Sequence, residues 1–233
     1  MSAIYIHEEI DILGPRRADY MTHMTSGWDA AARGERGMRC FGVWATVGST
    51  GRWPTVVNLW ELDGWEGLAA NFAHELSHDT LQDPTLARWW SAAAELRSGG
   101  RDRILLPADY SPDIEALCAD LPPAVCHLHE VVTLRRGTAR EYLALLADEW
   151  LEPALGAGLG LTGAYRTAMV SDSEVIVLWS VPDWPRWAEI EQFLDHGPAI
   201  DRWRERTAGL VTSDQRTLVC AAPLSPLRTG RQP

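Results

Sequence analysis

Hydrophobic and polar positions alternate almost without fault at the start of the chain. Ile4, Ile6, Ile10 and Ile12 fall on one side and Tyr5, His7, Glu9 and Asp11 on the other, with Glu8 as a lone acid among the isoleucines. A period of two predicts a strand over residues 3–12. Residues 15–34 then carry helix formers in amphipathic spacing, and 40–47 and 55–62 are β-rich runs separated by a Gly/Ser/Pro turn. A helical tract follows over 64–98, interrupted at Asp83-Pro84, and a short strand is expected over 103–106. The order β-α-β-β-α-β is that of a ferredoxin-like unit.

The pattern then recurs. Tyr5-Ile-His-Glu-Glu-Ile-Asp-Ile returns as His127-Leu-His-Glu-Val-Val-Thr-Leu, and His7/His129, Tyr20/Tyr142 and Trp28/Trp150 are each separated by 122 residues. Asn58-Leu-Trp-Glu-Leu-Asp-Gly-Trp answers to Val177-Leu-Trp-Ser-Val-Pro-Asp-Trp, and Arg103-Ile-Leu-Leu-Pro to Arg216-Thr-Leu-Val-Cys. The second copy predicts a strand over 125–134, a helix over 138–153, strands over 161–169 and 173–181, a helix over 183–209 and a strand over 215–221. Residues 1–110 and 124–223 are thus expected as two units joined by a linker over 111–123, with 224–233 as a loose tail. A four-stranded sheet covered by helices on one side leaves its other face bare. Two such faces closing on each other bury both and enclose a cavity, so the expected fold class is α+β, a pseudo-dimeric barrel of tandem ferredoxin-like units.

Composition narrows the function classes. With 233 residues and 46% hydrophobic content the chain can bury two small cores or one shared core. A net charge of −11 argues against nucleic acid or an anionic membrane surface as a partner. Four cysteines without metal-like spacing, and no basic-then-apolar leader or membrane-length apolar run, point to a cytoplasmic protein, and a homo-oligomer remains open. All 21 basic residues are Arg, a high-GC, actinobacterial kind of coding bias. The lack of Lys excludes a Schiff base, lysine-bound pyridoxal phosphate and a Walker-type phosphate loop. The stretch from Gly156 to Gly163 follows a helix and precedes a strand, the reverse of a dinucleotide-binding turn.

The ends of the first strands near Pro15 and Gly137, the run Asn58-Leu-Trp-Glu-Leu-Asp, the stretch Gln82-Asp-Pro-Thr-Leu-Ala-Arg-Trp-Trp and the exit Arg103-Ile-Leu-Leu-Pro-Ala-Asp-Tyr-Ser-Pro together resemble the NIPSNAP family of the dimeric α+β barrel superfamily. The resemblance spans nearly all of residues 3–223 and its motifs are mostly structural. It implies a barrel whose cavities, across the superfamily, host proton-transfer cyclisation and isomerisation, cofactor-independent oxygenation and, in some branches, haem chemistry. Many members of the family have no known reaction, which keeps a non-catalytic ligand- or partner-binding role as the rival. The chain also departs from the pattern: Glu8 and Glu130 stand where the family would carry Arg, and Ile6 and Leu128 where it would carry Glu.

Three groups could carry chemistry. His7-Glu8 and His129-Glu130 occupy the same place in both copies, and adjacent strand residues face opposite ways. Glu8 and Glu130 are expected to face the cavity, where desolvation would suit a carboxyl to proton transfer; the opposite phase, placing Tyr5, His7, His127 and His129 inside, stays open. Trp44, Trp60, Tyr165 and Trp179, from a chain with 12 tryptophans, would shape a pocket for a flat apolar metabolite, with Arg166 beside them, or else pack the core. Trp28, Trp65, Trp89, Trp150, Trp184 and Trp203 are expected in the scaffold. Finally, His74-Glu75-Leu76-Ser77-His78 matches the H-E-x-x-H zinc pattern without a familiar third ligand. The expectation is an acid–base enzyme acting without a cofactor on a small hydrophobic, aromatic or polyketide-like metabolite. Zinc on His74 and His78, or haem on His127, His129 or His196, is the alternative.

Overall fold

The computed structural model describes residues 3–26 and 36–233, so Trp28 and the end of the helix expected over 15–34 lie outside the described residues. The first unit runs β1 (Ile4–Ile12), α1 (Arg17–Ser26), β2 (Arg39–Thr46), β3 (Thr55–Leu62), α2 (Gly64–Leu76), a 3-10 turn (Pro84–Leu86), α3 (Ala87–Ala94) and β4 (Arg97–Pro107). A short helix α4 (Ile114–Ala119) leads to β5 (Cys126–Leu134), α5 (Ala139–Leu145), a π turn (Leu146–Trp150), α6 (Leu151–Gly156), β6 (Gly160–Thr167), β7 (Glu174–Val181), α7 (Trp184–Asp195), α8 (Pro198–Thr207) and β8 (Val211–Ala221). A last turn of helix, α9 (Pro226–Thr229), follows. No described helix is long and apolar enough to cross a membrane.

The eight strands close into an antiparallel barrel in the order β1-β3-β2-β8-β5-β7-β6-β4. Within each unit the ladders are long, with β1 between β3 and β4, and β5 between β7 and β8. The units join along two short seams, Trp44↔Ala221 to Thr46↔Val219 and Leu105↔Thr167 to Pro107↔Tyr165. Because side chains alternate, each strand faces the barrel interior with one set and its own helices with the other. Tyr5, Phe41, Trp44, Leu59, Tyr165 and Leu178 pack inside, whereas Ile4, Ile10, Tyr20, Val43 and Trp60 form a separate core beneath the first unit's helices. Leu128, Val132, Tyr142, Trp150 and Trp179 form the matching core of the second unit.

One end of the barrel is closed by apolar residues. Ile114 and Leu117 of α4 and Leu227 of α9 belong to the interior cluster, and the Gln232 side chain donates to the Cys40 carbonyl and accepts from the Cys40 amide at 2.8 and 2.9 Å. The stretch expected as a loose tail is therefore docked. β4 also begins earlier than expected, at Arg97, where Gly100 lies against β1; a Cβ there would come within 2.6 Å of the Glu9 carbonyl oxygen.

Gly42 and Gly163, at bulges in β2 and β6, are equivalent in the repeat. A Cβ at either would sit inside the ring two residues on, Trp44 or Tyr165, which folds back over the glycine. Gly42→Ala should therefore cost about 2 kcal/mol or more through overpacking. A thermal melt checks this, and an unchanged midpoint would show that the Trp44 ring has room to move.

Candidate active site

Strand phase puts Glu8 and Glu130 against the helices, not inside the barrel, which corrects the expected orientation. The isoleucine face of β1 is the one that must be hidden under α1, α2 and α3, and Glu8 is carried on that face. It still meets a cavity. A space of about 580 Å³ lies between the sheet and the helices, with Glu8, Ile6, Met24, Met38, Trp60 and Trp89 on its wall. Glu8 Oε2 accepts hydrogen bonds from Trp60 Nε1 at 2.8 Å and Asn58 Nδ2 at 2.9 Å. The Asn58 amide also donates to the Tyr20 hydroxyl at 3.0 Å. Oε1 takes no hydrogen bond among the described residues. Burial pushes the Glu8 carboxyl above the usual carboxylate range; the Trp60 indole opposes this, Asp102 adds to it, and Asn58 opposes it again.

The second unit repeats the device with changes. Trp179 Nε1 donates to Glu130 Oε2 at 3.0 Å, beside a cavity of about 410 Å³ that also meets Tyr142, Trp150 and Trp203. Val177 replaces Asn58. The register settles another difference: Glu8 lies opposite Asp102 on β4, and Glu130 opposite Arg216 on β8. The sequence repeat had matched Arg103 with Arg216. The structure instead pairs Arg103 with Thr217 in position, and such a one-residue slip exchanges the two faces of a strand. Burial also raises the Glu130 carboxyl, but Arg216, at 3.9 Å, is the leading force pulling it back down. Glu8 thus has an acid where Glu130 has a base.

The tryptophans divide by face. Trp60 and Trp179 serve the two carboxyls, whereas Trp44 and Tyr165 are fully buried in the barrel core and reach neither cavity beside Glu8 or Glu130. Trp150 stacks on Trp203 in the second core at 5.5 Å. Trp65 and Trp184, expected in the scaffold, are half exposed, at 53% and 43%. Arg166 points to Asp172, 3.8 Å away at the β6–β7 turn, and lines none of these cavities among the described residues.

The histidines take the inner face. His7 and His129 meet across the barrel, Nε2 to Nε2 at 2.9 Å, and His127 Nδ1 accepts from Trp44 Nε1 at 3.3 Å. Burial keeps all three imidazoles neutral, lowering His127 and His129 to about 4 and His7 well below its ordinary value. In the unfolded chain they would take protons near pH 6.5, so stability should fall as pH drops from about 6.5 to about 4, by roughly 3 kcal/mol for each of His127 and His129. Melting temperature against pH measures this. A flat profile over that window, or one unaltered in His127→Gln, would contradict it.

His74 and His78 of the H-E-x-x-H stretch have their rings 6.0 Å apart, and the fold adds Asp83, whose Oδ2 lies 3.0 Å from His74 Nε2. Asp83 is already occupied in capping the 3-10 turn through Thr85, which holds its carboxyl down at about 2. Glu75, which would be the general base of a zinc hydrolase, is bound to Arg36 and to the Asp83 amide. His196 is exposed beside Asp195 at the end of α7.

No family model matches the chain, and no curated protein matches it in sequence. Solved structures do match in fold. A candidate monooxygenase from Lactobacillus acidophilus aligns over 95% of both chains with a TM-score of 0.61 and 10% identity. An anthrone oxidase-like protein aligns over 95% of this chain and 92% of its own at 0.58 and 14%. An uncharacterized NIPSNAP domain protein from Burkholderia xenovorans covers 40% of this chain and 90% of its own, at 0.36 and 16%, too slight a likeness to bear on the whole chain. The likeness is one of fold.

Proposed function

We propose that the cavity beside Glu8 is the active site of an enzyme that moves a proton on a small hydrophobic, aromatic or polyketide-like metabolite. The observation that carries this reading is the state of Glu8: a carboxyl raised by burial, fixed at one oxygen by Trp60 and Asn58, with the other oxygen unclaimed among the described residues at the wall of a largely apolar cavity. Such a carboxylate can take a proton from an activated C–H and return it, the work of a general acid–base. The anion left behind can be reprotonated at another carbon, which is isomerisation. It can instead give its electron pair to O₂, forming a C–O bond; protonation yields a hydroperoxide, and loss of water leaves a carbonyl. The names of two fold neighbours, a candidate monooxygenase and an anthrone oxidase-like protein, make oxygenation the arm to test first.

Anthrone, a tricyclic ketone with an acidic methylene, is a suitable probe. Under nitrogen in D₂O the protein should accelerate exchange of that methylene, and in air it should accelerate O₂ uptake. Exchange without O₂ uptake would move the assignment to isomerisation. Neither effect in the wild-type protein would overturn the enzymatic reading and favour a ligand-binding role.

A further inference from the structure

The inner wall of β1 presents Tyr5, His7, Glu9 and Asp11 in order from the closed end of the barrel to the open one. Repetition of the unit puts His129 of β5 opposite His7. Their imidazole planes lie 4° from parallel, with centroids 5.1 Å apart and the Nε2 atoms 2.9 Å apart. Glu9 is the next inward residue toward the open end. One donor atom from each of the three side chains falls in a group no more than 4.8 Å across. Apolar side chains would fill this part of the interior without the cost of desolvating two imidazoles.

We propose that His7, Glu9 and His129 bind one divalent transition-metal ion inside the barrel, a site on the opposite face of β1 from Glu8 and independent of the reaction assigned there. Two imidazoles and a carboxylate are a donor set used for Zn²⁺ and, with open positions, for octahedral Fe²⁺. With metal–nitrogen bonds of about 2.0–2.1 Å, two imidazole nitrogens stand about 2.9 Å apart at right angles round an ion and about 3.3 Å apart round a tetrahedral one. The observed separation is within a few tenths of an ångström of both; the two rings now share a hydrogen bond nearly head-on, so each would turn by about 35–45° to aim its Nε2 at a shared ion.

The surroundings supply what such a site needs. Arg103 donates to Glu9 Oε1 and to Glu174 Oε1, each at 2.8 Å, and so fixes the Glu9 carboxylate while Oε2 takes no hydrogen bond among the described residues. This is the orienting role that outer partners play round metal ligands. Glu174, buried and also accepting from Thr167 at 2.8 Å, balances the Arg103 charge. The carboxylates of Glu9 and Glu174 exceed that one buried guanidinium by a unit of negative charge; Arg101, 3.4 Å from Glu174, is largely exposed. Access comes from a cavity of about 700 Å³ at the open end, on whose wall lie His129, Glu9, Asp11, Arg52, Arg101 and Arg103. The remaining coordination positions would face this space, where the arginines suit a small oxygen-donor anion such as a carboxylate.

Co²⁺ offered to the chelator-stripped full-length protein tests the proposal. About one equivalent should be retained on equilibrium dialysis, with visible absorption bands and an X-ray absorption signature of two imidazole ligands. Affinity should fall at least about a hundredfold in Glu9→Gln and in His129→Gln, and stay unchanged when His74 and His78 are both replaced by Ala. Glu9 lies at the open end and is partly exposed, so Glu9→Gln remains informative should His129→Gln fail to fold. No binding by the wild-type protein, or binding undiminished in Glu9→Gln, would overturn the assignment. Loss of the ion only in the His74/His78 variant would place the metal on those two histidines, at and beyond the end of α2, and overturn it equally.

Discussion

Glutamine at position 8 should lower turnover of the anthrone probe at least about a hundredfold, whereas glutamine at position 130 should leave most of it. General acid–base groups contribute about 10²–10⁴ in rate, and the two carboxyls are not equivalent. Asp102 faces Glu8 and disfavours its charge, while Arg216 faces Glu130 and favours it. Asn58 orients Glu8, and Val177 offers Glu130 no donor. The cavity is also larger at Glu8, about 580 against 410 Å³. The substituted amide can still accept from Trp60 and Asn58 through its carbonyl oxygen, so the melting temperature should stay within a few degrees. Equal losses in the two variants would mean twin sites. Full activity in Glu8→Gln would remove Glu8 as the base.

Glu61→Ala should be the most destabilising single substitution of a charged residue outside the two carboxyl sites, at about 3–5 kcal/mol, because it strands partners chosen for an anion. Glu61 is 2% exposed and joins three segments: it accepts from Tyr5 on β1 at 2.9 Å, from Arg39 Nε on β2 at 2.9 Å, and from the Ile114 amide at the start of α4 at 3.0 Å. Its loss opens the plugged end of the barrel. In a chain of this size the midpoint should fall by about 10 °C. The side chain of Ser180, its counterpart in the second unit, makes one hydrogen bond among the described residues, to the Gly160 carbonyl at 3.3 Å, and its replacement by Ala should move the midpoint little. Parallel thermal melts decide, and similar shifts for the two would contradict the assigned role of Glu61.

Much of the fold was legible because its signals are local and stated twice. The alternation in residues 4–12, its return at 126–134 and the matching Trp60 and Trp179 runs define the strands and their order. The phase of β1 was not legible. β1 has an isoleucine face and a Tyr/His/Glu/Asp face, each covered by a packed layer, and only the choice of which layer is the helical one decides whether Glu8 or His7 looks into the barrel. Pairing Glu8 with Trp60 was hidden for a related reason: their meeting depends on the β1–β3 register, in which Ile6, not Glu8, lies directly opposite Trp60. The slip that makes Asp102, beside Glu8, the equivalent of Arg216, beside Glu130, was masked by the identity of Arg103 and Arg216 in the repeat. The grouping of His7, Glu9 and His129 requires closure of the barrel and has no signature along the chain.

The short seams that join the units have an evolutionary meaning. In a barrel assembled from two identical chains every substitution is made twice, once on each side of the twofold axis, so a gain at one pocket is imposed on the other. Here one polypeptide supplies both sides, and Trp44↔Ala221 to Thr46↔Val219 and Leu105↔Thr167 to Pro107↔Tyr165 hold them together without making them alike. Selection can then change Asn58 without touching Val177, and Asp102 without touching Arg216. Fusion of the two copies releases each pocket to diverge on its own while the shared interior keeps the pair in register.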